Sequence, residues 1–247
     1  MNILASKRSW ILSPILFFVG VALLVAVWAC MDGEALRSMF DNNGRSVFEL
    51  MTIPFYALIV PAVWMACPFG GSAKRKFLLC SAITCIAVMA VLKQLDLHIA
   101  VLSQLYPDVV NSFKGTPFKM RFLTNGSIPF GAKAFVVMYF ILFFGVFAAM
   151  LVYYARDFIK GVFRLNPVAW TFGCLGASGV MVQIFDRLPA WYRKSIGISK
   201  DALQVDFTSF CTALEEGGEM MLAAFALTAI LQAHLIYGNS GEKYADK

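Results

Sequence analysis

Long apolar runs alternate with short polar segments along the whole chain. Six of the runs, at residues 10–30, 47–67, 77–95, 132–153, 167–185 and 212–237, come close to the length needed for a membrane span. A helix rising 1.5 Å per residue takes about 20 residues to cross a hydrocarbon layer about 30 Å thick. Transmembrane barrel strands would alternate lipid-facing and lumen-facing positions, and these runs do not. Lipid offers the backbone no hydrogen-bond partners, so each run must satisfy its own N–H and C=O groups as a helix. The pattern therefore predicts an all-α fold. Residues 1–247 form a single integral membrane domain, a polytopic bundle of about six transmembrane helices.

The connections differ in character. Residues 31–46 are polar, with Asp32, Glu34 and Asp41, and Asn42-Asn43-Gly44 predicts a turn. Residues 68–76 are short, with Gly70-Gly71 followed by Lys74-Arg75-Lys76. The stretch 96–131 is long and semi-apolar. Its mixture of aromatic, basic, proline and glycine residues predicts a segment lying at the membrane interface. Residues 186–211 are polar, and Leu188-Pro189 predicts a helix break. Lys7 and Arg8 precede the first run as in a signal peptide, but about twenty apolar residues are enough to span. The bulky Trp28 also spoils the cleavage box at Val27–Cys30, so the first span is expected to remain uncleaved.

Basic residues are densest in the short loops. Lys7, Arg8, Lys74, Arg75, Lys76, Arg156, Lys160, Arg164, Lys243 and Lys247 fall on one side. The positive-inside rule then places both termini in the cytoplasm, with the bacterial inner (cytoplasmic) membrane as the expected location.

Composition agrees with lipid as the surrounding medium. The chain is 60% hydrophobic and 15% charged, with mean hydropathy +0.71; soluble domains are about 45–50% apolar and about 25% charged. The net charge of +6 does not indicate nucleic acid. No basic run exceeds Lys74-Arg75-Lys76, and such a run beside a span sets topology and meets anionic headgroups. The six cysteines form no C-x-x-C pair and mostly sit in apolar stretches, as small buried hydrophobes do. Pro54 and Pro61 inside the second run predict a packing kink. Gly173, Gly176 and Gly179 predict close helix approach, within the chain or to another copy. The chain contains no G-x-x-x-x-G-K-[ST], G-x-S-x-G or H-E-x-x-H motif. His98 and His234 fall at opposite ends of the bundle, too far apart to hold a haem, and an interfacial hydrogen bond is expected for His234. No cofactor and no catalytic residue is named by the sequence.

The ionisable residues near membrane depth are costly, and they are not scattered. Glu49 opens the second span. Lys93 and Asp96 close the third, followed by His98. Asp186 and Arg187 follow the fifth, and Glu215, Glu216 and Glu219 open the sixth. Because successive helices alternate in direction, all of these ends share one side, the outer side under the orientation above. Glu216 and Glu219 are spaced i, i+3 and Glu215 and Glu219 i, i+4, so the acids share a helix face. Asp96 and His98 converge only if the third helix ends between them. Three uses fit such a cluster. One is a salt-bridge network with acids favoured by the helix dipole in the first turn of span six. The second is a site binding an ion or a proton, as in transport. The third is a membrane-interface, lipid-active enzyme, with acids and His98 as metal ligands or acid–base groups.

Lys93-Gln94-Leu95-Asp96-Leu97-His98 resembles a Lys-Glu-Leu-Asp-Leu-His run in a loose group of uncharacterised bacterial multi-pass membrane proteins. Ser127-Ile128-Pro129, Asp186-Arg187 and Leu214-Glu215-Glu216 with Glu219 follow in similar order and spacing over most of the chain. Gln94 stands where an acid is expected, and Gly217-Gly218 falls inside the acidic motif. The resemblance implies that these residues act as one unit and implies no particular activity. The leading functional expectation is a carboxylate-rich site near the outer face that binds an ion or a proton. The alternatives are the lipid-active enzyme and a structural or accessory subunit. Expected partners are the lipid bilayer, an ion, proton or lipid ligand, and another membrane protein or a second copy.

Overall fold

The computed structural model describes residues 7–40, 46–66, 73–113, 120–199 and 205–238. After a 3-10 turn at Lys7–Ile11 come α1 (Leu12–Cys30), α2 (Gly33–Phe40), α3 (Val47–Ala66) and α4 (Ala73–Gln94). Three short helices follow, α5 (Leu97–Leu105), α6 (Pro107–Ser112) and α7 (Met120–Thr124). Next, α8 (Phe130–Phe140) continues through a π-helical turn at Ile141–Gly145 into α9 (Val146–Phe163). The last long helices are α10 (Pro167–Ile196) and α11 (Val205–Ala233), the latter ending in a π-helical turn at His234–Gly238. No strand occurs among the described residues. Among the described residues, six helices are long and apolar enough to cross a membrane: Ser9–Cys30, Val47–Ala66, Lys76–Gln94, Phe130–Phe163, Pro167–Ile196 and Asp206–Tyr237. The chain is a multi-pass α-helical membrane protein, as its hydropathy pattern predicts. The expected turn at Asn42-Asn43-Gly44, Cys67, Gly70-Gly71, and the tail with Lys243 and Lys247 lie outside the described residues.

Three boundaries differ from expectation. The fourth span extends to Phe163 rather than 153. The fifth runs to Ile196, straight through the expected break at Leu188-Pro189. Proline's fixed φ is compatible with a helix, and its local cost is one lost N–H donor and one freed carbonyl. Termination needs a residue that reverses the chain, and Gly197 supplies it at φ +70, with the N–H groups of Gly197 and Ile198 both donating to Arg193 O. The start of α10 is equally defined by chemistry. The Asn166 side chain accepts from Val168 N at 2.9 Å and Ala169 N at 3.3 Å, with Pro167 at the first helical position. The sixth span begins near 206 rather than 212. There Phe210 packs edge-on against Trp28 of α1 and Phe185 of α10, and Phe207 meets Tyr192.

The bundle is built around α11, which packs on α1, α2, α3 and α10. Within its apolar window 39% of residues are buried, against 6% for Phe130–Phe163, so α11 is the centre and the fourth span the periphery. One core cluster joins α1, α2, α10 and α11 through Leu24, Leu36, Phe40, Leu214, Met221 and Phe225. A second joins α3, α4 and α11 through Ile59, Val63, Cys80, Ala87 and Ile230. The 96–131 stretch folds into its own small core, with Leu102, Phe122 and Ile128 packed on Ala132 and Val136 of α8.

Two consecutive glycines let α11 sit that tightly. A Cβ on Gly217 would overlap the Leu24 side chain of α1. One on Gly218 would come within 2.7 Å of Val182 Cγ2 and 2.9 Å of Met181 Cε on α10. Gly179 faces Leu222 across the same α10–α11 contact at an ordinary 3.6 Å, whereas Gly173 and Gly176 meet nothing within 4 Å. The expected close approach through the fifth-span glycines is thus confined to Gly179. Of the described cysteines, Cys80, Cys174 and Cys211 are buried, Cys85 is half-buried and Cys30 is exposed. The helix α3 runs unbroken past Pro54 and Pro61.

Candidate functional site

The acidic residues of α11 do not open the helix. Glu215 lies ten residues past Val205, and the acid of the first turn is Asp206. At 1.5 Å per residue, Glu216 is about 16 Å along the axis from the helix start. The macrodipole acts within the first turn, so it does not account for these carboxylates. They lie at the level where α4 ends, where Lys93 and Gln94 meet Glu219.

A helix turns 100° per residue, so neighbouring positions on α11 face different elements. Gly217 faces α1, Gly218 faces α10, and Glu219 faces α4. Glu219 is buried, with its side chain 9% exposed, and forms an ion pair with Lys93 at the end of α4. Its other oxygen, Oε2, accepts a hydrogen bond from Gln94 Nε2 at 2.8 Å. The Tyr56 hydroxyl of α3 donates to the Glu219 backbone carbonyl at 3.3 Å. Three helices are thereby pinned at a single residue. Gln94 belongs to the site although it stands where an acid was expected. Tyr56 was missed by sequence reasoning, and its signal was a hydroxyl inside an apolar run, because a buried tyrosine O–H needs a partner.

Glu216, one turn back on the same face, is half-buried. Its charged neighbours are Glu219, Glu49, Glu215 and Lys93, and it makes no hydrogen bond or ion pair among the described residues. Glu215 is also half-buried and acts on both Lys93 and Glu216. The carboxylate of Glu49 is engaged at the start of α3. Ser46 N donates to Glu49 Oε2 at 3.0 Å while Glu49 N donates to Ser46 Oγ at 3.1 Å, a reciprocal capping box. The structure therefore sets Glu219, Glu216 and Glu215 around the Lys93 ammonium, with Glu49 acting on Glu216.

The other expected members stand apart. The helix does end between Asp96 and Lys93, and Asp96 occupies the left-handed region at φ 50, which aspartate tolerates better than most residues. Asp96 turns the chain, with Asp96 N bonded to Lys93 O and Asp96 O accepting from Ile99 N and Ala100 N, each at 3.0 Å. His98 then folds back. Its Nδ1 lies 3.2 Å from Leu92 O, one of the carbonyls left over at the end of α4, and its ring stacks on Tyr139 at 5.0 Å. Burial holds the His98 imidazole below its usual pKa; the Leu92 carbonyl and Asp96 oppose that shift, and Lys93 adds to it. Asp186 and Arg187 are exposed on α10 and make no hydrogen bond or ion pair among the described residues. His234, at the far end of α11, has Nδ1 2.7 Å from Ala66 O, the interfacial hydrogen bond its position predicts.

A second polar group, also missed by sequence reasoning, lies near His234. Ser13 of α1, Thr171 of α10 and Gln232 of α11 are fully buried. Thr171 Oγ1 is 2.6 Å from Ser13 Oγ, 2.6 Å from Gln232 Oε1 and 3.0 Å from Pro167 O, while Gln232 Nε2 has no partner. One hydroxyl proton cannot serve both Pro167 O and Gln232 Oε1. Turning the amide lets Gln232 donate to Thr171, but then Oε1 is unpaired. Isolated serine, threonine and glutamine residues in apolar runs give no warning that they will meet.

Among the described residues, no three or more His, Cys, Asp or Glu side chains are arranged to hold a metal ion. What the arrangement around Lys93 can do is share one positive charge among competing carboxylates. The chain matches no family model, no curated protein and no solved structure.

Proposed function

We propose that this is a proton-binding membrane protein of the transporter type, with Glu216 as the exchanging carboxyl. The observation that carries this reading is the unequal treatment of the acids. Glu219 is held by Lys93 and Gln94, and Glu49 by the Ser46 backbone, whereas Glu216 sits among the same charges with no hydrogen bond among the described residues. The carboxyl groups of Glu219, Glu49 and Glu215 act on Glu216 and favour a retained proton there, because like charges at short range in a poorly solvated site disfavour full ionisation. Intramembrane carboxylates in this setting serve proton relays in pumps and transporters. The density of basic residues in the short loops supports a bacterial inner membrane with cytoplasmic termini, so that the acidic end faces outward. The similarity of the Lys93–His98 and Glu215–Glu219 segments to the bacterial group fits one unit, since Lys93, Gln94, Glu216 and Glu219 converge.

The test is infrared difference spectroscopy of the reconstituted protein across a pH step. The expected result is a protonated-carboxyl C=O band that disappears in Glu216→Gln and survives in Glu49→Gln. A spectrum unchanged by Glu216→Gln would overturn the reading. A second reading, an accessory subunit, is favoured by the weakly packed fourth span, whose window is only 6% buried. It predicts a co-purifying membrane protein and no such band.

A further inference from the structure

At the acidic end of the bundle, an open groove of about 530 Å³ runs along the outside of the fourth span. Its wall is one stripe of that helix, including Phe130, Lys133, Val137, Met138 and Ile141, closed on one side by Leu123 of α7. The i, i+3, i+4 spacing makes the stripe run along the helix axis. From Lys133 to Ile141 it covers about 12 Å, roughly half of an extended acyl chain. Phe130, Met138 and Ile141 are exposed, at 84%, 54% and 63%. Lys133 is the one charged residue of the lining, and it lies within a turn of the start of the span. Arg121, exposed on α7, adds a second cation on the element that supplies Leu123.

We propose that this groove holds one chain of an acidic glycerophospholipid, with the phosphate headgroup on Lys133. Charge and geometry select that occupant. A free anion would leave the apolar stripe empty, and a purely apolar partner helix would bury the lysine charge without a counter-charge, which is costly. A zwitterionic lipid fills the groove but gains little from the cation. An acidic lipid satisfies both ends, because a lysine near the end of a span directs its ammonium to the interface while its stem covers apolar surface.

The test is native mass spectrometry of the full chain in mild detergent, titrated in parallel with phosphatidylglycerol and phosphatidylcholine. Wild type is expected to retain phosphatidylglycerol about fivefold better, the factor corresponding to about 1 kcal/mol for one basic residue beside an anionic headgroup. Lys133→Gln removes the preference, Lys133→Arg keeps it, and Val137→Trp, which fills the groove from a lipid-facing position, lowers retention of both lipids. Equal retention of the two lipids by wild type, or a preference that survives Lys133→Gln, overturns the proposal. Disulfide-linked dimers formed through Val137→Cys would also overturn it, by assigning the stripe to a second copy.

Discussion

Removing the Lys93 ammonium should reveal how strongly the acidic cluster depends on one cation. In Lys93→Met, Glu219 keeps its hydrogen bond from Gln94 but loses its counter-charge, while Glu216 and Glu215 lose the Lys93 charge that acts on them. Breaking a fully buried pair from one side costs about 3–5 kcal/mol. This pair is asymmetric, with side-chain exposures of 51% for Lys93 and 9% for Glu219. Surface pairs contribute about 0–1 kcal/mol. Lys93→Met, which strands the buried partner, should therefore cost about 2 kcal/mol. Glu219→Gln, which strands the half-exposed one, should cost about 1 kcal/mol, since a released lysine can reach the interface. The double variant should be better than the sum of the two by about 1–2 kcal/mol, within the range for residues in direct contact.

The assay is reversible unfolding in mixed detergent micelles, with helicity as the signal, on wild type, both single variants and the double. A coupling energy below about 0.3 kcal/mol would refute the reasoning, because it is what independent sites give. Lys93 would then be a solvated cation beside a carboxylate that needs no partner, and the shared-charge basis of the site would fail with it.

Three other expectations follow from the packing. Gly217→Ala and Gly218→Ala should each destabilise by about 1–3 kcal/mol through overpacking, whereas Gly173→Ala, with nothing within 4 Å, should be neutral or slightly stabilising in the same assay. Burial disfavours the charged form of His98, so its folded pKa lies below the unfolded value of about 6.5. Its contribution is intact above that value and is lost as pH falls through the folded pKa, so wild type should lose stability on acidification relative to His98→Gln, and parallel pH curves would contradict this. Thr171→Val should cost about 2 kcal/mol by stranding Ser13 and Gln232, while Gln232→Leu should stay within about 1 kcal/mol of wild type because it also removes the unpaired amide atom; equal losses in thermal unfolding would count against the network.

The six spans could be read from the chain because lipid imposes one rule on every residue of a span, and that rule is visible in side-chain polarity alone. Termini were less readable because caps override hydropathy. Pro189 looks like a stop but only removes a donor, while Gly197 ends α10 by adopting a positive φ. For the segment 96–131, composition did not reveal the small core, since the contact of Phe122 with Phe113 and Val136 depends on how α7 folds back onto α8. Gly217-Gly218 looks out of place within an acidic motif. It makes sense once α1 and α10 are seen pressing on α11 from adjacent sides, a fact about neighbours and not about α11 itself.

The acids illustrate the same difficulty from the electrostatic side. A hydropathy scan assigns Glu215, Glu216 and Glu219 to the membrane edge because each carboxylate is scored as though alone, and a lone charge is expensive in lipid. Glu219 is not alone, since Lys93 and Gln94 meet it from a helix more than a hundred residues earlier. Partnering lowers the cost of burial, so Glu219 can be buried in the bundle where α4 ends. Which acids cluster was readable from their spacing, because spacing belongs to one helix. Which acid is held and which is left among like charges was not, because that is decided by where α3 and α4 end. Glu49 is turned toward Ser46 by a capping box at the start of α3, and Glu219 is taken by the last residues of α4. Glu216 is left as the carboxyl whose protonation state the fold does not fix through a hydrogen bond among the described residues, which is the property an exchanging group requires.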